Sequence, residues 1–326
     1  MRLIALVAFT LLFCRTALAL DLFLSPAGND SANGASAESA IATLARAHDL
    51  VAAALAKAPQ DVTIRVAPGT YTGQTVVWRA TSPDVSIVIT GPDNPATPAI
   101  FDGNKQGTTF FALAPRTGAP TNLTLSNLTI TDYRTAVTFA GSSSGNERWS
   151  SNNRLLNNRF LANGGTAVVP MGRSTAIVRL VNSRQNMIAG NVFDGMKGKD
   201  CKLLHAIYLA HGSSRNVITD NEFLNGCGDP IRVRDRSNQN LIYDNRFDRV
   251  GNKAAYTEWY CTSRTRCRRD ECPPVGNEFF NNSLGTNFDG KPLRAFFNFK
   301  GEPRGVCPIL PDDQTGFREF GNSRAN

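Results

Sequence analysis

One pattern of polar and apolar positions recurs along the chain. It has the form N-x-(I/L/F)-x-x-N-x-(F/L), and its second asparagine lies at positions 158, 191, 221, 245 and 282. A looser copy, "NLTLSNLTI", covers residues 122–130. The gaps between the second asparagines are 33, 30, 24 and 37 residues. A fixed pattern with variable spacing predicts one structural unit that carries insertions of different length.

The unit is typical of a coil built from short strands. Two apolar residues, such as Ile218 and Phe223, are expected to point inward on either side of a bend. Asparagine suits that bend, since it tolerates left-handed backbone and bonds to neighbouring main chain. A minimal repeat of about two dozen residues accommodates three strands, and each coil buries its apolar side only against its neighbours. Stacked coils would align the asparagines in an internal ladder.

The repeat therefore predicts an all-β fold, a right-handed single-stranded parallel β-helix. Leucine-rich repeats have similar periods, but their regular leucines are missing here. Residues 38–59, "ESAIATLARAHDLVAAALAKAP", predict an amphipathic helix that ends at Pro59 and covers the open edge of the first coil. Its apolar stripe consists of Ile41, Leu44, His48, Val51 and Leu55. We interpret His48 on this stripe as structural.

The segments around this helix carry a family resemblance. "DLFLSPAGNDSANG", the helix and then "DVTIRVAPGTYTG" resemble the amino-terminal coil of exported β-helix proteins of the pectate-lyase-like superfamily. With the repeats, the resemblance covers residue 21 to about residue 290. It implies the fold directly, but it leaves the activity open among polysaccharide lyases, glycoside hydrolases, uronate epimerases and non-catalytic adhesins.

The chain start is typical of a secretory signal peptide, residues 1–19. Arg2 precedes an apolar run, and "ALA" at residues 17–19 fits a cleavage site. A membrane anchor is the alternative, but the run is short for a span, and no other stretch is long enough. We expect a secreted or periplasmic protein whose β-helix domain, residues 20–290, is followed by a C-terminal cap, residues 291–326, where the repeat is lost.

Charge and cysteine content fit export. Without Arg2 and Arg15, 33 basic and 27 acidic residues leave a formal charge of +6, which suits an anionic polymer or ordinary solubility. An even number of cysteines remains, which favours disulfides over a metal site. The disulfide candidates are Cys201, Cys227, Cys261, Cys267, Cys272 and Cys307. Cys201 and Cys227 lie within two positions of the 24-residue register, so we predict that they bridge neighbouring coils.

The segment "GDPIRVRD", residues 228–235, places unusual charge in a predicted strand. Counting by 24 residues puts Ile207, Ile231 and Ala255 in one inward column and Leu209, Val233 and Thr257 in the next. Residues between these columns then point outward. Coils lie about 4.8 Å apart, so residues one coil apart in a column can touch.

The outward columns gather the chemically active residues on one face. The predicted columns are His205 with Asp229 and Lys253, Tyr208 with Arg232 and Tyr256, Arg234 with Glu258, and His211 with Asp235 and Trp259. Arginines hold carboxylates through paired donors, and aromatic rings stack on or bond to pyranose rings. A histidine beside an aspartate resembles a base with its orienting carboxylate. The alternative is a solvated face of ion pairs, such as Arg234 with Glu258 and His211 with Asp235.

This face suits β-elimination on an acidic polysaccharide. Cations neutralise the uronate carboxylate, a neutral base removes the C5 proton, and an acid protonates the leaving oxygen. The predicted catalytic residues are His205, Asp229, Arg232, Lys253 and Tyr208. The base would be His205 or Lys253, the acid would be Tyr208 or Tyr256, and the neutralising cations would be Arg232 and Arg234. The predicted substrate-binding residues are Arg234, Asp235, His211, Tyr256, Glu258 and Trp259. C5 epimerisation begins with the same proton removal, so the two reactions are not separated.

Two alternatives remain. A glycoside hydrolase would use two carboxylates from Asp229, Asp235 and Glu258, although the N-T-D, D-D and G-H-G motifs of polygalacturonases are absent. A non-catalytic carbohydrate-binding β-helix would keep the arginines and aromatic rings. Calcium assists some relatives, but no acidic cluster supports it, and we expect no cofactor or metal. We expect a monomer whose partner is an acidic polysaccharide, with no nucleic-acid module and no membrane span.

Overall fold

The fold is a stack of parallel coils. A computed structural model of the protein describes residues 19–114, 118–141, 148–164, 175–198, 200–262, 270–299, 307 and 316–324. The predicted signal peptide and Cys267 lie outside these residues, apart from residue 19. Within them, the strands form three long sheets in which neighbouring strands pair in parallel, and each complete coil contributes one strand to each sheet. The predicted parallel β-helix is confirmed.

Sheet I has ten strands in the described residues. They are β1 Leu20–Leu24, β2 Val62–Val66, β5 Ile87–Thr90, β8 Leu123–Ser126, β12 Arg154–Leu156, β16 Met187–Ala189, β19 Val217–Thr219, β22 Leu241–Tyr243, β25 Glu278–Phe280 and β28 Arg318–Phe320. Sheet II has nine. They are β3 Gly69–Thr72, β6 Ala99–Asp102, β9 Leu128–Thr131, β13 Arg159–Leu161, β17 Val192–Asp194, β20 Glu222–Leu224, β23 Arg246–Asp248, β26 Ser283–Leu284 and β29 Ser323–Arg324.

Sheet III has eight strands in the same residues and carries the charged face. They are β4 Val76–Trp78, β7 Thr109–Leu113, β10 Thr135–Ala140, β14 Ala176–Val181, β18 His205–Ala210, β21 Ile231–Arg234, β24 Tyr256–Trp259 and β27 Phe296–Asn298. A small parallel pair, β11 Ser150–Ser151 and β15 Ser183–Arg184, joins two neighbouring coils at the corner between sheet III and sheet I.

Two asparagine ladders join the coils. In the first, each side-chain amide donates to the carbonyl oxygen of the next at 2.7–2.9 Å, through Asn153, Asn186, Asn216, Asn240 and Asn277. In the second the distances are 2.9–3.2 Å, through Asn158, Asn191, Asn221, Asn245, Asn282 and Asn322. The predicted internal ladder is therefore present. The left-handed backbone belongs to the residue before each ladder asparagine, such as Asn152 and Asn157, so that part of the prediction is wrong.

Apolar side chains fill the interior between the ladders. Ile218 and Phe223 are both fully buried, as predicted. The rings of Phe160, Phe193, Phe223 and Phe247 stack in sequence with centroids 4.7–5.0 Å apart. Offset and parallel stacking of this kind adds to the free energy gained from burial alone. The same repeat thus supplies both the polar and the apolar interior columns.

The N-terminal helix, α1 Leu44–Lys57, begins later than its apolar pattern suggested. Ile41 forms a bridge with Leu24 instead of a helical turn, and Asp30 accepts hydrogen bonds from the backbone of Ala42 and Thr43. The helix packs against β1 and β4 at the first coil. His48 lies edge-on to Trp78 at 5.3 Å, which fits its structural interpretation.

The coil continues past residue 290, where the sequence predicted that the repeat ends. β27 pairs with β24, β28 with β25, and β29 with β26. The predicted cap segment therefore adds strands to all three sheets. A disulfide between Cys272 and Cys307, with Cα atoms 5.6 Å apart, ties it to the preceding coil. Within the described residues, no helix is long and apolar enough to cross a membrane.

The register slips by one residue at the third charged coil. Tyr208 pairs with Arg232 as predicted, but Arg232 pairs with Thr257 and not with Tyr256. The turn before β24 holds one more residue because it wraps around Asp229. One oxygen of that carboxylate accepts hydrogen bonds from the backbone N–H groups of residues 252, 253 and 254, at 2.6–3.3 Å.

The slip turns two predicted face residues inward. Tyr256 is fully buried among interior phenylalanines, and its hydroxyl donates to Glu258 at 2.7 Å. Asn277, the last residue of the first ladder, donates to the same oxygen at 3.2 Å. Burial raises the pKa of Glu258 to about 7. The outward positions predicted for Tyr256 and Glu258 are therefore wrong.

Removing one ladder residue should destabilise the protein strongly. Asn221 is buried and donates to the backbone oxygens of Ile188 and Thr219 and to Asn245. Asn221→Ala leaves several of these groups unpaired, so we expect a loss of about 3 kcal/mol or more. Chemical denaturation measures it. Asn225→Gly is the control. It removes one half-buried bond to Asp194 at a position whose left-handed backbone glycine tolerates, and it should cost about 1 kcal/mol. Equal losses in the two variants would contradict the ladder's role.

Glu258 should make stability depend on pH. Its folded-state pKa is raised, so its contribution is complete below the ordinary value of 4.5 and is lost as the pH rises to about 7. Relative to wild type, Glu258→Gln should gain roughly 3 kcal/mol of unfolding free energy across that window. Denaturation of both proteins at several pH values tests this. Glu222→Gln, a control with a half-exposed side chain, should show no such trend, and a flat difference for Glu258→Gln would refute the assignment.

Candidate functional site

A cavity of about 440 Å³ opens on the outer face of sheet III. Its lining includes seven of the eleven residues that the sequence predicted: His205, Tyr208, Asp229, Arg232, Arg234, Lys253 and Trp259. The structure adds five more: Thr175, Lys202, Leu203, Asn252 and Phe299. The register of β18 on β21 brings the central pair, Tyr208 and Arg232, side by side.

Arg232 is the buried cation of this cavity. It is only 8% exposed, and its Nε donates to the Thr257 hydroxyl at 2.6 Å. The Asp229 carboxylate lies 3.5 Å from Nη2, and the Phe299 ring lies 4.7 Å from the guanidinium carbon. Burial lowers the pKa of Arg232, although arginine stays protonated in proteins. Among the described residues, Asp229 is the one carboxylate paired with Arg232. This ion pair is long and uses a single guanidinium nitrogen, so the cation can still bind an anionic group in the cavity.

Arg234, in contrast, is fully paired with a carboxylate. Its Nε and Nη2 donate to the two carboxylate oxygens of Glu271 at 2.8 and 2.5 Å, so the predicted pairing with Glu258 is wrong. Its guanidinium lies over Trp259 at 4.2 Å, and Nη1 donates to the Tyr208 hydroxyl at 3.1 Å. Arg234 is thus neutralised, and it positions Tyr208. Because that hydroxyl accepts from Arg234, its own proton is free to be donated elsewhere.

His205 is buried and neutral. Its Nδ1 lies 2.8 Å from the backbone oxygen of Asp229, and a carbonyl oxygen only accepts, so Nδ1 donates and Nε2 carries the lone pair. Burial and the charge of Arg232 lower the pKa of His205 to about 3. Its ring lies nearly parallel to that of Tyr208, with centroids 5.9 Å apart.

Asp229 organises the cavity without acting as the partner predicted for it. Its carboxylate holds the turn before β24, while its backbone oxygen orients His205. The sequence predicted that the Asp229 carboxylate orients the His205 ring, but the backbone oxygen of Asp229 does so instead. Lys253 belongs to the same turn, is exposed at the cavity and lies 5.8 Å from the Phe297 ring.

A disulfide and a glycine fix the position of the cavity wall that contains Lys202 and Leu203. Cys201 and Cys227 are bonded, with Cα atoms 5.3 Å apart, as predicted. A Cβ atom at Gly228 would lie 1.9 Å from the backbone oxygen of Leu204, so only glycine allows this approach. The bridge and the close contact together fix the segment that carries Lys202 and Leu203 beside the cavity.

Four predicted site residues lie elsewhere. Tyr256 and Glu258 face the interior, and neither His211 nor Asp235 lines the cavity. His211 Nδ1 lies 2.8 Å from Asp235, which fits the ion-pair alternative. Although burial opposes it, hydrogen bonds from His211 and the Cys272 backbone lower the pKa of Asp235.

His211, Asp235 and Glu271 place possible ligand atoms within 4.8 Å of one another. Those atoms are already engaged, because Glu271 binds Arg234 through both oxygens and Asp235 binds Arg236 at 2.7 Å. A metal ion would have to displace Arg234 from Glu271 and Arg236 from Asp235. The arrangement therefore fits a network of ion pairs better than a metal site.

The additional lining residues had little sequence signal. Phe299 follows β27, in the segment "FFNF" that the predicted end of the repeat left out. Glu271 lies in the cysteine-rich insertion between β24 and β25, where the repeat offers no register. Thr175 immediately precedes β14. Extending the repeat register by one coil toward the N-terminus would therefore have placed it at the cavity.

The chain matches the family described as "Right handed beta helix region" over residues 99–247. No curated protein sequence matches it significantly. Among solved structures, an alginate lyase from Paenibacillus sp. str. FPU-7 is similar with a TM-score of 0.58 and 13% identity, covering 85% of this chain and 93% of that one. A rhamnogalacturonan lyase gives 0.56 and 15%, covering 82% and 69%.

A third structure, a 1,3-α-1,4-β-D-galactose-4-sulfate-3,6-anhydro-D-galactose-2-sulfate 4 galactohydrolase, gives a TM-score of 0.53 at 11% identity and covers 94% of this chain and 88% of that one. These identities establish a shared fold and leave the activity open. The asparagine-laddered coils, the three parallel sheets and the family match agree. The chain has the right-handed parallel β-helix fold.

Proposed function

We propose that the protein is an exported polysaccharide lyase that cleaves an acidic, uronate-containing polysaccharide by β-elimination. One observation carries the proposal. A neutral buried imidazole, a tyrosine hydroxyl with a free proton and an incompletely paired arginine line a single cavity. Two of the similar structures are an alginate lyase and a rhamnogalacturonan lyase, which supports the substrate class.

The arrangement suits the order of bond changes. The uronate carboxylate binds the guanidinium of Arg232, which stabilises the negative charge that develops when the C5 proton leaves. His205 Nε2 accepts that proton. The electron pair forms the C4–C5 double bond, the bond from C4 to the glycosidic oxygen breaks, and Tyr208 protonates the departing oxygen. Bound carboxylate also offsets the charge of Arg232, which makes His205 a stronger base.

The cavity is less suited to glycoside hydrolysis. That reaction uses two carboxyl groups on either side of the bond. Among the described lining residues, Asp229 is the one carboxylate, and three backbone N–H groups hold it. Glu258 faces the interior and Asp235 is bound to His211 and Arg236. Disulfides are typical of oxidising compartments, which supports export.

Incubation with uronate polymers tests the reaction. Polymannuronate, polyguluronate, polygalacturonate and glucuronate-containing chains form the panel, and elimination raises the absorbance of unsaturated uronate. We expect activity on at least one polymer. His205→Gln and Tyr208→Phe should each lower kcat by about 10²–10⁴-fold. His48→Gln, on the distant helix, is the matched control. Reducing ends without absorbance would indicate a hydrolase, and binding without cleavage would indicate a C5 epimerase or a binding module; any of these results would overturn the proposal.

The pH dependence provides a separate test of His205. Its lowered pKa of about 3 leaves the imidazole neutral throughout the range from pH 5 to 8. Since kcat/KM reports the free enzyme, it should not decline across that range with the ordinary histidine value. Initial rates at low substrate concentration measure it. An acidic limb centred near 6.5 that disappears in His205→Gln would show that the histidine titrates normally and would contradict this environment.

A further inference from the structure

Arg179 extends the column that contains the two central residues of the cavity. It lies on β14, where it pairs with Thr138 on one side and with Tyr208 on the other. Tyr208 in turn pairs with Arg232. The side chain of Arg179 is exposed, while its strand neighbours Val178 and Leu180 are buried. Arg179 therefore projects from the same outer face, two coils from Arg232.

The charge of Arg179 is not matched within its column. Its register partners are a threonine and a tyrosine, and no salt bridge joins it to an acidic residue in the described part of the chain. Two exposed arginines on the other sheets are matched in this way, since Arg246 lies opposite Glu222 and Arg318 lies opposite Glu278 in adjacent coils. Arg154 on sheet I is not, because it lies between Thr124 and Met187. The outer face of sheet III thus presents two cations in line, with a tyrosine between them.

The spacing of these cations suits a sugar polymer. Coils lie about 4.8 Å apart, so Arg179 and Arg232 are separated by about 10 Å along the axis. A pyranose unit in an extended 1,4-linked chain advances by a distance close to one coil spacing. In a flat ribbon of such units, successive carboxylates point to opposite sides, and every second one returns to the same side. The separation matches two carboxylates with one unit between them.

The cavity reaches this coil. Thr175, the residue before β14, is part of its lining, as is Tyr208 on the next strand. A chain bound to Arg232 and passing Tyr208 toward the N-terminal end of the β-helix would therefore reach Arg179 without leaving the face. Arginine also binds carboxylates through two parallel donors, which fixes their orientation.

The geometry points to a second uronate subsite at Arg179. It would bind the carboxylate two units from the one at Arg232 and align the polymer with the axis of the coil. This inference rests on the proposed substrate class. We therefore expect the protein to prefer chains of at least three units that carry an acidic sugar at every second position or at every position.

Chain-length dependence tests the subsite. Arg179→Ala is compared with wild type on uronate oligosaccharides from the disaccharide upward. For chains long enough to reach Arg179, KM should rise by about three- to tenfold with kcat nearly unchanged, because an exposed charged contact is lost. The shortest chains should show no effect. The matched control is Arg154→Ala, which removes an exposed arginine from sheet I between Thr124 and Met187.

Affinity in the His205→Gln background separates this inference from the proposed reaction. Affinity electrophoresis in gels containing each polymer measures binding without turnover, and Arg179→Ala should migrate faster than Arg154→Ala. If the wild-type protein binds a polymer but does not cleave it, the proposed β-elimination is wrong. The comparison of Arg179→Ala with Arg154→Ala still tests the subsite in that case. Equal behaviour of the two variants would overturn the subsite alone. Absence of binding to every polymer would overturn both.

Discussion

The interior packing and the outer face of this protein both depend on the alignment of each coil with the next. It is enforced by two rows of buried asparagines, in which every amide bonds to the next coil and also satisfies backbone groups of its own or a neighbouring one. A slip by one residue would leave these donors and acceptors unpaired in the interior, at a cost of about 1–3 kcal/mol for each group. It would also exchange inward and outward side chains. The ladders therefore hold the chemical groups on the outer face in fixed columns.

The cavity is assembled by this alignment together with local anchors. Tyr208 and Arg232 meet because β18 pairs with β21 in the predicted register. His205 is oriented by a backbone oxygen, and Arg234 holds the Tyr208 hydroxyl. Glu271, from an insertion, neutralises Arg234 but not Arg232. Two arginines that look equivalent in the sequence thus have separate roles, one in positioning and one in binding an anion.

Counting along the repeat predicted the fold and the centre of the cavity. It worked for Tyr208 and Arg232 because the coil between them has no insertion relative to the repeat. It failed for Tyr256 and Glu258 because the intervening turn contains one more residue, wrapped around the Asp229 carboxylate. No periodic signal reveals such a turn, since it depends on a contact between distant residues. Glu271 and Phe299 were missed for the same reason, as neither lies in a repeat that the sequence defines.

The central claim is that this face binds an acidic polysaccharide through Arg232. The most direct test is a crystal structure of the His205→Gln variant with a uronate oligosaccharide that it cannot cleave. The account predicts a carboxylate within hydrogen-bonding distance of the Arg232 guanidinium, a sugar ring beside Tyr208 and the chain running along the coil axis. A well-ordered sugar in another groove, such as the one lined by Pro92, Asn94 and the turn residues Asn127 and Asn157, would contradict it.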